Sequence, residues 1–428
     1  MKTIKILLTL TTAFLLLNAG CKKDSPTEPT PTKSPGYQED IPWLSLADSP
    51  WAMYRADPQN TGRSKYAGPT LGIIEKTIDS LVPASSIAVD NNLSIYFIDA
   101  VGGPGDYSGA IAFDDMLNVK WYLKNERILL SSNNPSSPLV NNEGTMFYSI
   151  PLDKKFFAIN RDGSTKWVLN NLKIVQTGIN IGKDGTIYVV ALNDSVGQWE
   201  LTAISSQGEL LWSLPGLGVL GDALNSMSFS PDGQTLYISG NLNETSVNAI
   251  DIVAKTKKWS FGKDRLIYNS APIVDSEGNI YTLTYHDESV TNLYSLTPDG
   301  NIRWKYTLDT AYFVNDMNPG AIDKNGNLYY GDKNIMVIDY KGKLVWRDSI
   351  NGRISSPITI DNQNNIFFSV ANGTSISFLC YSDKGVKKWE VLLGNNFSNR
   401  GTNFSPAIIG NYRLLFPTYR NNFIFVIK

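Results

Sequence analysis

The chain of 428 residues is poor in the side chains that build disulfides and metal sites, with only two cysteines and one histidine. Since Cys21 lies in an N-terminal leader, we expect no intramolecular disulfide in the mature protein. Cys380 stands in an apolar run, which predicts a buried, unreactive thiol. The single His286 lies among acids in a predicted loop, so a multi-histidine metal site is excluded and a histidine-based catalytic triad is disfavoured.

Charge is also scarce and balanced. Charged residues make up 18% of the chain and the formal net charge is -2. Without a basic surface to hold a phosphate backbone, we expect no nucleic-acid partner. Aromatic residues reach 11%, which fits many short strands packed face to face.

The N-terminus carries a hydrophobic run in residues 6–17, and this run is too short for a stable transmembrane helix. Residues 1–20 have the parts of a secretory signal peptide. The sequence Leu-Asn-Ala-Gly before Cys21 resembles the lipobox of bacterial lipoproteins, which implies that Cys21 is acylated after cleavage. A plain signal peptide that happens to contain a cysteine is the alternative.

Residues 21–41 are rich in proline and threonine, and we interpret them as an extended tether. Its Cys-Lys-Lys-Asp start resembles lipoproteins of the Bacteroidota. The resemblance implies a lipid-anchored protein of the outer membrane, on its periplasmic face or at the cell surface. In this interpretation the lipid is the sole contact with the membrane.

The rest of the chain is repetitive. A [Thr/Asn/Ser]-[Ile/Leu]-[Tyr/Phe] element has its third position at Tyr96, Tyr188, Tyr237, Tyr281, Tyr329 and Phe367, with looser copies at Phe147 and Leu415. A tryptophan follows in most repeats, at Trp121, Trp167, Trp212, Trp259, Trp304, Trp346 and Trp389, at steps of 42–47 residues. Short strands separated by Gly/Asn/Asp turns at this period predict the four-stranded antiparallel blades of a β-propeller. We interpret the tryptophans as structural packing residues between blades.

Eight copies of the first element against seven tryptophans indicate eight blades, the last lacking its fourth strand. Gly72 and Lys76 repeat the glycine-to-tryptophan spacing without the tryptophan. We therefore predict an all-β, eight-bladed propeller in which residues 70–79 complete the last blade and close the ring. Residues 42–428 form a single domain in this prediction, with residues 42–69 as a lead-in segment lying across one face or the rim.

The repeats resemble those of pyrroloquinoline-quinone-type (PQQ-like) propellers. Ala249, Asp251 and Trp259 keep that family's spacing, although Lys255 replaces its glycine. The resemblance implies architecture more than activity. Quinone-dependent dehydrogenases of this superfamily rest their cofactor on a disulfide between adjacent cysteines, which this chain lacks, so we expect no cofactor.

Other catalytic or metal chemistry has weak support. Residues 323–327 (Asp-Lys-Asn-Gly-Asn) could suggest calcium, but equivalent runs precede the second strand of several blades, so tight turns explain them better. We predict no metal site and no catalytic residue. Four Asp-Ser/Thr-apolar tripeptides, at residues 79–81, 194–196, 309–311 and 348–350, resemble O-glycosylation sites of exported Bacteroidota proteins, and chance explains them equally well.

The function that this pattern favours is a monomeric, non-catalytic binding or scaffold protein of the cell envelope, similar to BamB-type lipoproteins. Its partner would be an envelope or surface protein, with a glycan as the alternative. A glycan lyase or hydrolase is a further alternative, and would need two carboxylates converging in an axial pocket. The aromatic residues outside the repeat register are the candidate binding residues: Tyr54, Tyr66, Tyr107, Trp199, Tyr285, Tyr312 and Tyr419.

Overall fold

A computed structural model of the chain describes residues 33–79, 81–100, 108–125, 136–151, 153–217, 227–239, 247–262, 265–266, 272–286, 290–308, 319–395, 404–418 and 423–428. Cys21, the predicted signal peptide and the first part of the tether lie outside these residues. Residues 36–428 form one compact unit. No helix in the described part of the chain is long and apolar enough to cross a membrane.

Thirty-four strands are described, β1–β34 in chain order. They span Ile74–Ile78, Ala88–Val89, Ile95–Asp99, Ser108–Phe113, Val119–Asn125, Leu139–Val140, Met146–Ile150, Lys155–Ile159, Thr165–Leu169, Lys173–Ile181, Ile187–Asn193, Gln198–Ile204, Leu210–Leu214, Met227–Phe229, Thr235–Ser239, Val247–Asp251, Thr256–Phe261, Arg265–Leu266, Ile273–Val274, Ile280–His286, Val290–Leu296, Ile302–Leu308, Ala321–Ile322, Leu328–Gly331, Asn334–Ile338, Leu344–Ser349, Arg353–Ile354, Thr359–Ile360, Ile366–Asn372, Ser375–Tyr381, Lys387–Gly394, Ala407–Gly410, Arg413–Pro417 and Ile424–Ile427.

The strands form eight antiparallel sheets, which are the blades of a propeller. Blades 1 to 4 are β2–β5, β6–β9, β10–β13 and β14–β17. Blades 5 to 7 are β18–β22, β23–β26 and β27–β31, and in blades 5 and 7 the first strand is split into two short pieces. Blade 8 consists of β32, β33, β34 and the N-terminal β1. The predicted eight-bladed architecture is confirmed.

The ring closes through the N-terminal strand. β1 pairs antiparallel with β34, so that Thr77 lies opposite Phe425. At the end of this ladder Ile73 and Lys428 exchange two backbone hydrogen bonds of 3.3 and 3.0 Å. The strand predicted from the Gly72 spacing therefore completes blade 8, and the two ends of the ring-forming chain are held together by backbone hydrogen bonds.

The tryptophans of the repeat lie on the fourth strands and contact the next blade. In five junctions the indole Nε1 donates to a backbone oxygen of the neighbouring blade at 2.9–3.0 Å. The donor and acceptor residues are Trp121 and Arg161, Trp167 and Ser206, Trp259 and Pro298, Trp304 and Tyr340, and Trp346 and Asp383. Each of these indoles packs on the turn before the fourth strand of the next blade. At Gly342, in one such turn, a Cβ atom would lie 2.6 Å from the Trp304 ring. The glycine thus lets the indole pack flat on the turn.

The Asp-rich runs form the turns between first and second strands. In blade 6 the Asp323 Oδ1 atom accepts hydrogen bonds from the backbone N–H groups of Asn325 and Asn327, at 2.8 and 2.9 Å. Its Oδ2 atom accepts from the Asn327 amide and the Tyr329 hydroxyl. The carboxylate is therefore used by the turn and by the tyrosine of the repeat, as the interpretation of these runs as turns expects.

Lys255 stands in the turn where six other blades have glycine, and it adopts the same left-handed backbone, with φ of 57°, as does Leu117 at this place in blade 1, with φ of 67°. Replacing glycine by lysine at this position therefore leaves the backbone geometry of the turn unchanged. This explains why blade 4 retains a regular fourth strand, Thr256–Phe261, despite the substitution.

Candidate functional site

The ring has two ends that differ in what lies on them. The lead-in end carries the turns between first and second strands and between third and fourth strands, together with residues 36–69. The far end carries the connections between second and third strands, such as residues 194–197 of blade 3 and 373–374 of blade 7.

The lead-in crosses the mouth of the ring and pairs with the inner edges of the blades. In six blades the backbone N–H at the end of the first strand donates to a lead-in carbonyl at 2.7–3.0 Å. The pairs are Val89 with Trp51, Val140 with Ala52, Phe229 with Pro58, Val274 with Gln59, Ile322 with Thr61 and Ile360 with Gly62. These inner-strand donors would otherwise face the channel without a ladder partner. The chain itself thus satisfies the inner edge at this end.

Arg55 anchors the lead-in within the mouth. Its side chain is fully buried, and Nη1 donates to the backbone oxygen of Ile358 at 2.7 Å while Nη2 donates to that of Gly320. Burial lowers the pKa of Arg55 to about 10, so the guanidinium remains charged at neutral pH. At blade 4, the Asn60 amide donates to Met227 O and Ser228 Oγ at 2.9 and 2.7 Å. These side-chain bonds join the lead-in to blades 4, 6 and 7.

A cavity of about 470 Å³ lies at this end between two passes of the N-terminal chain, residues 38–50 and 56–65. Two ion pairs cross from one pass to the other, Asp40 with Arg63 at 3.2 Å and Asp48 with Lys65. Asp40 also pairs with Lys324 of blade 6 at 2.8 Å. The acids at the cavity wall are therefore matched with cations that fasten the two passes together.

The carboxyl groups of the cavity differ in pKa for clear reasons. Burial would raise the pKa of Asp40, but the hydrogen bond from Lys324 and the charge of Arg63 outweigh it and lower the pKa below its ordinary value. Burial raises the pKa of Asp57. Both Asp57 oxygens accept hydrogen bonds from Thr61, and one also accepts from the Gln59 N–H at 3.1 Å. These bonds give Asp57 a role in the local turn.

A glycan hydrolase would use two carboxyl groups on its substrate. In this cavity Asp40 and Asp48 form ion pairs and Asp57 accepts hydrogen bonds within its turn. Across the described ranges of the chain, no group of three or more His, Cys, Asp or Glu side chains is placed to hold a metal ion.

The far end is uneven in height. The second strands of blades 3, 5 and 7 have seven residues each, whereas those of the other five blades have four or five. At about 3.3 Å per residue, two additional residues lengthen these strands by roughly 7 Å. Among the connections that the structure describes in full, the hairpins of blades 3 and 7 therefore extend past that of blade 6, whose second strand ends at Gly331.

The blade 3 hairpin carries an aromatic residue beside charged groups. Trp199 is half-buried, and the Lys173 ammonium lies 5.5 Å from its ring centroid. On the neighbouring connections, Lys154 of blade 2 and Asp194 of blade 3 form an ion pair of 2.5 Å. An amphipathic ring flanked by charged side chains is typical of protein-binding surfaces.

The remaining candidates from the sequence are in different positions. Tyr54 is buried in the lead-in, and Tyr66 packs against the apolar core of blades 7 and 8. Tyr107, Tyr312 and Tyr419, and the side chains of Tyr285 and His286, lie outside the described residues. Cys380 is buried and free, and burial raises its pKa to about 12. Trp199 is thus the one predicted aromatic that the described residues place at the surface of the far end.

Residues 152–341 match the family model described as outer membrane protein assembly factor BamB. The protein is a β-propeller whose residues 152–341 carry BamB-like, PQQ-type repeats. No curated protein matches the sequence of this PQQ-like repeat propeller significantly.

Solved structures resemble it in fold. A europium-containing methanol dehydrogenase superposes with a TM-score of 0.62 at 12% identity, covering 88% of this chain and 89% of that chain. Sqt1 of Saccharomyces cerevisiae gives 0.60 at 10% identity, covering 85% and 99%. BamB from Moraxella catarrhalis gives 0.45 at 12% identity, covering 75% and 96%. At these identities the likeness concerns the fold, and propellers of this shape include enzymes.

Proposed function

We propose that the chain is a non-catalytic binding propeller of the bacterial cell envelope, anchored to a membrane through acylated Cys21, which holds a partner protein at its far end. The observation that carries the proposal is the occupied mouth of the ring. Backbone hydrogen bonds from six blades, together with buried Arg55, fix the lead-in there. A ring whose axial entrance is filled by its own chain is suited to act as a rigid platform.

Two further points support this function. The carboxylates of the cavity at the lead-in end are engaged in ion pairs and in a turn, which leaves them in structural roles. The family model that matches residues 152–341 is named for an assembly factor of outer membrane proteins, which fits an envelope protein that binds other proteins. The lipobox-like sequence before Cys21 fits the same compartment.

The far end is the better binding surface because its hairpins project. Trp199 offers a large side chain of low conformational entropy, with charged neighbours at its edge. On the opposite side of the ring, the blade 7 hairpin presents exposed Asn372, whose amide donates to Asn351 at 3.3 Å. A partner protein resting on both hairpins would span the ring.

Photo-crosslinking in native membranes tests the proposal. A photoreactive amino acid is placed at Trp199 and, in a second variant, at Asn372. Matched controls carry it at Leu44 and Asn142, which are exposed at the lead-in end. We expect a discrete protein adduct from the far-end positions and none from the controls.

The outcomes separate the functions. Adducts confined to Leu44 and Asn142 would place the partner at the lead-in end and contradict the proposal. Far-end adducts that a glycosidase removes and a protease leaves intact would support the carbohydrate-binding alternative. No adduct from any position in the native host would argue against a binding function.

A further inference from the structure

Exposed aliphatic side chains gather at one end of the ring. At the turn before each fourth strand, or in its first two residues, seven of the eight blades carry at least one large aliphatic or methionine side chain that is 41–73% exposed. These are Met116, Val119, Leu210, Leu211, Val253, Ile302, Leu344, Val345, Val386, Leu71 and Ile73, which we call the aliphatic rim. All of them lie at the lead-in end, because the fourth strands begin there.

Four residues of the aliphatic rim lie at one level. Val119, Leu210, Ile302 and Leu344 each stand two residues before the repeat tryptophan of their blade, so the propeller symmetry places them at one height. Leu44, at the same end, is 83% exposed. Scattered exposed aliphatic residues need no explanation, but here seven of the described blades carry them at the same end of the ring. Apolar side chains distributed around one end suit contact with an extended flat surface.

Charge at the rim does not have one sign. Around Leu344, for example, Asp339 alternates with Lys341 and Lys343 in the same turn. A surface of this kind gains little from long-range attraction to anions. The contact it favours is therefore apolar and nearly independent of salt.

The chain also enters the ring at this end. The backbone N–H of Gln38 donates to Lys324 O at 2.8 Å, and its side-chain oxygen accepts from the Ser276 N–H at 2.9 Å. Both partners belong to turns of the lead-in end. The covalent path back to Cys21 therefore starts from the face that carries the aliphatic rim.

We infer that the lead-in end rests on a lipid bilayer, with the aliphatic rim reaching into the headgroup layer. The inference rests on the membrane anchor in the proposed function, and it adds an orientation. The rim supplies many shallow apolar contacts while Cys21 supplies the lipid, a combination of two weak signals that gives stable membrane attachment. The far end then faces away from the bilayer.

Fluorescence quenching on vesicles tests the orientation with the full acylated chain. Because Cys380 is buried and Cys21 carries the lipid, single cysteines can be labelled selectively. Labels are attached at Ile302→Cys and Leu210→Cys on the rim. Matched controls are Val196→Cys and Leu392→Cys, which have similar exposure at the far end.

The labelled chains are bound to phosphatidylcholine vesicles with brominated acyl chains. We expect about a twofold loss of fluorescence at the two rim positions, unchanged by high salt, and little loss at the two far-end positions, because amphipathic surfaces bury their apolar side about 5–10 Å into the bilayer boundary.

Equal quenching at both ends would overturn the inference, and so would unquenched rim labels. Mass spectrometry of the N-terminus separates the causes of the second result. An acylated, vesicle-bound chain with unquenched rim labels would refute the orientation while the anchor stands. A chain without a lipid that does not bind vesicles would refute the anchor and the orientation together. Neither result depends on finding the partner protein.

Discussion

Substituting Gly62 with alanine tests how strongly the lead-in is fixed in the mouth of the ring. Gly62 has φ of 66°, its carbonyl accepts from Ile360, and a Cβ there would overlap Nη2 of Arg55. The alanine must therefore displace the guanidinium from Gly320 and Ile358 or move the lead-in backbone. Both changes break bonds that close the mouth.

Gly197 is a matched control. It has φ of 65° and lies in the blade 3 turn, where a Cβ would meet nothing within 4 Å. Gly197→Ala therefore carries the cost of the left-handed backbone alone, about 1–2 kcal/mol. Gly62→Ala adds the loss of hydrogen bonds from a charged group, about 1.5–3 kcal/mol each. The expected excess over the control is about 3 kcal/mol.

Urea unfolding followed by tryptophan fluorescence measures the two free energies, with the slope against urea checked for constancy between variants. A lower midpoint for Gly62→Ala than for Gly197→Ala, at equal slope, is the expected result. Equal midpoints would refute the argument that Arg55 fastens the lead-in, since the two variants would then share only the backbone cost.

Two other predictions concern the packing of the ring. Trp304→Phe should lower the free energy of unfolding by about 1 kcal/mol more than Trp389→Phe does in the same urea assay. Trp304 Nε1 donates to Tyr340 O at 3.0 Å, whereas the buried Trp389 Nε1 has no acceptor within the described residues. Equal losses in the two variants would contradict this. Cys380 should resist thiol reagents at pH 8 in the native chain and react fully in denaturant, because burial raises its pKa to about 12; rapid native labelling, measured by mass spectrometry, would show that blade 7 opens.

Most of the architecture could be predicted because it depends on residues at fixed spacing. The closing strand was found from Gly72 and Lys76 alone, and the structure explains why that spacing persists without a tryptophan. A Cβ at Gly72 would lie 2.6 Å from Trp389, so the glycine still receives the indole of the preceding blade. The glycine at this position is therefore required by the tryptophan of the preceding blade, whether or not its own strand carries a tryptophan.

The position of the lead-in could not be predicted in the same way. Its contacts are mainly backbone carbonyls with inner-strand N–H groups, and such bonds leave no side-chain pattern in the sequence. The ion pairs of Asp40 and Asp48 join residues 17 or more positions apart without any period. The sequence therefore restricted the lead-in to a face or the rim, and the structure places it across the mouth.

The two candidate surfaces, the far end with Trp199 and the aliphatic rim, differ in how clearly the sequence indicates them. Trp199 was found because it stands outside the repeat register, but nothing in the sequence separated it from Tyr54, which is buried. The aliphatic rim was missed although its signal is regular. Val119, Leu210, Ile302 and Leu344 recur two residues before a tryptophan, on strands whose alternate side chains face solvent.

Hydrogen–deuterium exchange tests the central claim, that the chain fills the mouth of its own ring. The amides of Val89, Val140, Phe229, Val274, Ile322 and Ile360 donate to the lead-in, so peptides that contain them should exchange only on global unfolding. Within the lead-in, the amides of Ala56, Asn60, Gly62 and Ser64 donate to backbone oxygens and should be protected as well. Rapid exchange in these peptides, at the rate of the exposed turn at residues 194–197, would mean that the mouth is open and would contradict the account.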